Sequence, residues 1–285
     1  MRIAVLADIH GNLPALRAVL SHVERQQPDR IISLGDQINL GPCAGEVMAL
    51  LRQHHVTCLH GNHERYVLEA LRGAPQYQAA NFGSVRFAAS QITAEEITLP
   101  VTLRLGQVLF CHAMPEDDRF PVPYPKKAIP MLAEHEPEAK HIICGHCHDP
   151  RHYAVGGCTV DVVGSLGCMD NGIPGWACYG ELLLEEEGFC FTNRFVPYDA
   201  GQLRPLFLST GYAKACPIMA RVICMQMEQN HVYMLRFVDM ALSLSRQKGE
   251  AQISPETWQE TDRAFGWPDG LTAEEFWHEA EKQCR

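Results

Sequence analysis

The sequence predicts an α/β chain, with mixed β-sheets sandwiched by helices over residues 1–200 and a C-terminal helical extension over residues 201–285 packed on that core. Three observations predict it. Short hydrophobic runs, partly β-branched and bounded by turn residues, recur through the first two-thirds, and such runs read as buried strands. Segments with a helical apolar period lie between them, an alternation that makes sheets with helices packed against them. The tail carries helical periodicity and helix caps instead.

The elements follow in order. Ile3–Ala7 is the first run. Asn12 is then placed to cap a helix, whose apolar face is Leu13, Leu16, Leu20 and Val23 at spacings of 3, 4 and 3. Arg30 to Leu34 is the next strand, Gly45 to His54 a helix with Val47, Leu50 and Leu51 inward, and Thr57 to Leu59 a third strand. Residues 64–100 read as largely helical, with a capping box at Thr93 to Glu96 and a stop at Leu99-Pro100. Strands are expected at 103–111, 141–144 and 159–163, and a hairpin at 177–186 and 189–197 turning near Glu187-Gly188. In the tail, an apolar period runs from Pro217 to Arg246 through Met219, Val222, Ile223, Met227, Met234, Phe237, Met240 and Leu244. Ser254-Pro255 and Thr272 to Glu275 open further helices, so two or three are expected there. The methionine stripe reads as packing rather than as a cofactor site.

Five of the runs end in metal-capable polar residues: Asp8-Ile9-His10, Gly35-Asp36, Gly61-Asn62-His63-Glu64, Cys111-His112 and Gly145-His146-Cys147-His148. Strand ends of an α/β sheet meet at one edge, where ligands bind. Asp8, His10, Asp36, Asn62, His112, His146 and His148 offer seven oxygen and nitrogen ligands, too many for one metal with an open position. They suit two metals sharing a carboxylate. Each residue alone has a plainer reading, as a turn cap for an aspartate or a satisfied buried histidine for His112. If residues 146–148 are a strand, His146 and His148 face one side and Cys147 the other. Cys144 and Cys147 form a C-x-x-C that also admits a redox or zinc reading, although no second cysteine pair has zinc-ribbon spacing. His54, His55, His135, His141 and His152 read as surface residues.

These five blocks, in this order, resemble the calcineurin-like metallophosphoesterase superfamily. Gly164-Ser165-Leu166-Gly167, the hairpin and Val196-Pro-Tyr198-Asp199 are similar to its small bacterial and archaeal phosphodiesterase-like branch. The resemblance covers roughly residues 1–200 and implies a four-layer fold with two divalent metal ions, manganese, iron or zinc. It implies that Asp8, His10, Asp36 and His148 hold one metal, and that Asp36, Asn62, His112 and His146 hold the other. It further implies attack of a metal-held water or hydroxide on phosphorus. His63 is then a catalytic residue that contacts the phosphate or protonates the leaving oxygen. The implied activity is hydrolysis of a phosphodiester or phosphomonoester. The family's serine/threonine protein phosphatases carry an aspartate that orients the catalytic histidine and an arginine that grips phosphate. Asn39 and Leu40 stand at those positions here. Arg65, Arg119, Lys126 and Lys127 are candidate replacements for the arginine. A small phosphoester, nucleotides among the candidates, is the expected substrate. A protein phosphatase and a non-catalytic binding scaffold of the same fold are the alternatives.

Composition sets the bounds. A formal net charge of −10 argues against a general nucleic-acid binder but not against a phosphate substrate, because two metals supply the local positive field. The chain enters a strand directly, no run reaches the length of a membrane span, and its 12 cysteines read as reduced thiols. A cytoplasmic location is therefore expected.

Overall fold

A computed structural model describes residues 1–114, 118, 138–155, 157–186 and 188–284. Among the described residues two five-stranded mixed sheets pack face to face, with helices against the first. The first sheet begins with β1 (Arg2–Leu6), which leads through α1 (Leu13–Arg25) to the parallel β2 (Arg30–Ser33). From there α2 (Ala44–Gln53) crosses to β3 (Thr57–Cys58). The amide oxygen of Asn12 accepts from the Ala15 N–H at 3.1 Å, so the expected cap is formed. Residues 64–100 are helical but broken into α3 (Asn62–Leu71), α4 (Gly83–Ala89) and three single 3₁₀ turns. The Thr93–Glu96 box opens only the last of these turns.

The second sheet departs from expectation in two places. Residues 103–111 form two antiparallel strands, β4 (Thr102–Leu105) and β5 (Val108–Cys111), reversing at Gly106, whose φ of +58° suits glycine. After β6 (His141–Cys144), an unpredicted strand, β7 (Arg151–Val155), pairs with β8 (Cys158–Val162). The β7 strand lies at the sheet edge and buries little, so no hydrophobic run announces it. The hairpin forms as β9 (Trp176–Leu184) and β10 (Phe189–Pro197) and joins the first sheet beside β1. Its expected turn residue Glu187 lies outside the described residues, as do Arg119, Lys126, Lys127 and His135.

Between the sheets, Ile3, Val5, Ile32 and Leu34 meet Val108, Phe110, Ile143 and Val163. At about 25 cal/mol per Å² of apolar surface removed from water, this two-sided burial aligns β1, β2, β5 and β6 so that their ends share one edge. His141 is fully buried, contrary to its surface reading. Its ring stacks on Phe189 with centroids 3.8 Å apart, and Nδ1 bonds the Thr159 hydroxyl at 2.6 Å.

The tail holds more helical segments than expected: α5 (Leu203–Ser209), α6 (Tyr212–Ala215), α7 (Pro217–Gln229), α8 (Met234–Gln247), α9 (Pro255–Ala264) and α10 (Ala273–Gln283). The long apolar period breaks at Asn230, whose φ of +45° ends α7 in a left-handed cap. Met219, Met227 and Phe237 are core residues here, packed with Trp258, Trp267 and Trp277. None of the described helices is long and apolar enough to cross a membrane.

Candidate metal centre

All seven expected ligands come together at the carboxyl ends of β1, β2, β3, β5 and β6. The geometry is not that of extended strands. Asp8, His10, Asp36, His146 and His148 all have φ between +51° and +71°. Left-handed backbone at residues with a Cβ costs free energy and clusters at functional sites. His146 and His148 therefore share a site through two left-handed turns beyond β6, not through strand alternation. Cys147 between them still turns away, against the cluster around Cys144 and Val160. Burial raises the Cys147 thiol to about 11 and the Cys144 thiol further, so neither is a ready thiolate for redox or zinc chemistry.

Two glycines make this approach possible. A Cβ on Gly61 would strike the Asp36 carboxylate, and one on Gly145 would lie 2.7 Å from Asp8 Oδ2. Asp36 Oδ2 lies 3.2 Å from His112 Nε2 and 3.9 Å from Nε2 of both His10 and His63. On one side, Asp8, His10 and His148 have ligand atoms within 4.8 Å of one another. On the other, Asp36, His112 and His146 do, and Asn62 Oδ1 lies 3.0 Å from His112 Nε2 and 2.9 Å from His146 Nδ1. Asp36 stands between these two groups, and with His10 and His63 it forms a third set whose ligand atoms lie within 4.8 Å of one another.

The electrostatics favour cations. Ring nitrogens face one another at 3.1 Å (His10 and His148) and 3.2 Å (His112 and His146), where lone pairs repel unless a proton or cation lies between them. Burial pushes the Asp36 carboxyl up, but His112, His63 and His10 together outweigh it and hold the group well below the usual range. Burial lowers His112 and His148, yet Asp36 brings the first, and Asp170 with Asp8 the second, up to about 9. Burial and the neighbouring Asp36 raise Asp8 to about 6. Burial holds His146 down at about 4. Nδ1 of His10 and of His112 are buried with no hydrogen-bond partner among the described residues. A borderline oxygen and nitrogen donor set without thiolate fits divalent manganese, iron or zinc.

Three supporting residues were not singled out from the sequence. Asp170 Oδ1 lies 3.1 Å from His148 Nδ1 and orients that ring. Glu64, noted only as part of its motif, accepts from the N–H groups of Gly61, Asp36, Gln37 and Ile38 at 2.8–3.3 Å. It thereby joins the loop after β2 to the start of α3, and burial beside Asp36 raises its carboxyl to about 7. Ser165 donates to the Asp8 carbonyl at 2.7 Å and pins the first motif. A glycine-serine pair after the last histidines was the only signal for that role.

The sequence profile of the calcineurin-like phosphoesterase family matches residues 1–178. The chain belongs to that family. Similar proteins include an uncharacterized protein of Methanocaldococcus jannaschii, 32% identical over 124 residues, 40% of this chain and 50% of that one. Serine/threonine-protein phosphatase 2 of Escherichia coli is 41% identical over 67 residues, 23% of this chain and 31% of that one. The aligned stretches thus span half or less of these curated relatives. A metallophosphoesterase from Sphaerobacter thermophilus shares the fold with a TM-score of 0.62 at 22% identity, covering 81% of this chain and all (100%) of that one. A hypothetical protein from Pyrococcus horikoshii does so at 0.61 and 16%, covering 78% and 97%.

Two expectations about phosphate binding change. Leu40 does not face the centre but packs with Cys168 and Leu203 in the tail core, so an arginine there would enter apolar packing. Arg65 is held by Asp118 through Nε and Nη2 at 2.7–3.0 Å and is not a free clamp.

Proposed function

We propose that this calcineurin-like protein is a metal-dependent phosphoesterase that hydrolyses phosphodiester or phosphomonoester bonds at a two-metal centre, in the cytoplasm. The observation that carries the reading is the pair of ligand groups meeting at Asp36. Asp8, His10, Asp36 and His148 would hold one ion, and Asp36, Asn62, His112 and His146 the other. Divalent ions bound there supply Lewis acidity, activating water and neutralising charge on phosphoryl oxygens.

The chain's own residues do the rest. The N-terminus of α3 faces the centre, where the His63 N–H donates to Asp36 Oδ1 at 2.8 Å and fixes that carboxylate. Asn39 Oδ1 accepts from the Leu40 N–H at 2.7 Å, which leaves the Asn39 NH₂ to meet His63 Nδ1 at 2.8 Å. Nδ1 must then accept, so a neutral His63 carries its proton on Nε2, on the Asp36 side. His63 is thus set to donate a hydrogen bond to a phosphoryl or leaving oxygen. Burial lowers its pKa, which keeps the ring neutral.

Protein phosphatase activity is the second reading, favoured by the Escherichia coli match and weakened by the absence of an arginine at position 40. A panel of bis(p-nitrophenyl) phosphate, p-nitrophenyl phosphate and a phosphopeptide, each with manganese, nickel, iron and zinc, tests both. Turnover of an aryl ester, with about two metals bound per chain, is expected. Phosphopeptide turnover alone would favour the second reading. Firm binding of metal with no hydrolysis of any ester would leave a binding scaffold.

A further inference from the structure

We propose that an apolar cleft beside the metal centre binds an uncharged aromatic substituent of the phosphoester substrate. The inference rests on the phosphoesterase reading and names the substrate class for it.

The cleft has a volume of about 540 Å³, within the range of small-ligand sites. Pro150, Met169, Ile173, Trp176 and Phe195 line it. Ile173, Trp176 and Phe195 are large apolar side chains left 66%, 37% and 50% exposed. Grouped around one concavity, such residues mark a binding surface. Trp176 pairs with Pro197 across the hairpin, so Phe195, two residues away, projects from the same face. Aromatic side chains of this kind offer apolar faces on which a flat ring can stack.

The cleft adjoins the centre along the chain. Its polar rim is Asp149 and Asn171, the chain neighbours of His148 and Asp170, whose side chains bond at 3.1 Å. We infer from this adjacency that one substituent of a phosphoester held at the centre enters the cleft. Charge narrows the class. Among the described residues Asp149 is the only charged one lining it, and its carboxylate accepts from Asn171 N and Nδ2 at 3.2 and 2.7 Å. No described residue lining the cleft is cationic, so a further phosphate would meet an anion. The substituent is an aryl or nucleoside group and not a polyphosphate.

The tail builds this wall. The Asn230 amide donates to the carbonyls of Ile173 and Trp176 at 2.8 and 2.9 Å and shapes the turn that presents both.

The test is calorimetric binding of methylphosphonate, phenylphosphonate and a 5′-deoxythymidine 5′-phosphonate to the full manganese-loaded chain. All three carry the same anionic group and none has an ester bond to break there. At least one aromatic ligand should bind about tenfold or more tighter than methylphosphonate, about 1.4 kcal/mol. The tighter of the two says whether a simple aryl group or a nucleoside is preferred. Trp176→Ala and Phe195→Ala should each bring the ratio toward one. Both side chains are surface-exposed, so the variants are expected to fold. Equal affinity for all three ligands, or a ratio that neither variant changes, overturns the proposal while leaving the phosphoesterase reading standing. If no phosphonate binds and no ester in the panel is hydrolysed, both fall together.

Discussion

The strand-end edge and the helical tail both bury charge, and they surround it differently. At the edge, Asp8, His10, Asp36 and His112 are almost wholly buried, two ring nitrogens lack partners among the described residues, and five of the seven expected ligands sit in left-handed backbone. In the tail, Arg221 is as deeply buried, but its Nη atoms donate to Asp269 and to the Leu271 carbonyl, and its guanidinium lies over Trp267 at 4.0 Å. The edge keeps polar atoms under-satisfied and ready for a ligand. The tail pairs both Nη atoms of its guanidinium and stacks it on a ring, leaving only Nε of that group without a hydrogen-bond partner among the described residues.

The widest break in this comparison should come from Asp36→Asn. It removes the carboxylate both ligand groups share, so kcat/KM at saturating metal should fall by about 10³-fold or more, several kcal/mol. Wild-type turnover in that variant would mean that the two groups do not work as one centre. His63→Ala should follow, losing on the order of 10²–10⁴ in turnover while keeping its metals. Loss of one metal on elemental analysis, with activity restored by excess ion, would make His63 a ligand instead.

Arg221→Ala examines the other side. A buried pair and its ring contacts are lost together, so unfolding stability should drop by about 3 kcal/mol, read by urea titration. Turnover per folded molecule should hold. A drop in kcat at unchanged stability would show the tail shaping the centre directly. Asp170→Asn should weaken metal affinity or activity by about 10–100-fold, the usual cost of removing a carboxylate that orients a ligating histidine. No change in either would deny Asp170 that role.

His141 supplies the smallest effect and a control, a buried histidine away from the centre. Burial, with His152 nearby, holds it at about 4 against an ordinary value of 6.5. Between those values the unfolded chain binds the proton more readily, so stability is complete above about 6.5 and declines as pH falls toward about 4. The loss should be about 1–3 kcal/mol, reduced by Asp161, 3.5 Å from Nε2. His141→Gln should flatten the slope in that window. An unchanged slope would place the titration elsewhere.

Seven of the residues at the centre were legible because metal chemistry restricts residue type and because each followed a strand-like run. Asp170 was not, since a lone aspartate in a loop carries no spacing signal and meets His148 only through folding. The strands of the inter-sheet core and most helices of the first 200 residues were legible from periodicity, which reports burial on one or two faces. The β4–β5 reversal hid inside one apolar stretch, and β7 hid because an edge strand buries little.

By itself the sequence determined the family, the strand-helix alternation and the ligand types, all of which depend on local order and composition. Only the tertiary structure decided that Leu40 belongs to the tail, that Arg65 is already paired, that His141 is buried and that Asn230 shapes an aromatic cleft. Each of those depends on a partner 53 or more positions away, or on burial between packed layers. Residue type and local spacing do not encode which distant surface a side chain will meet.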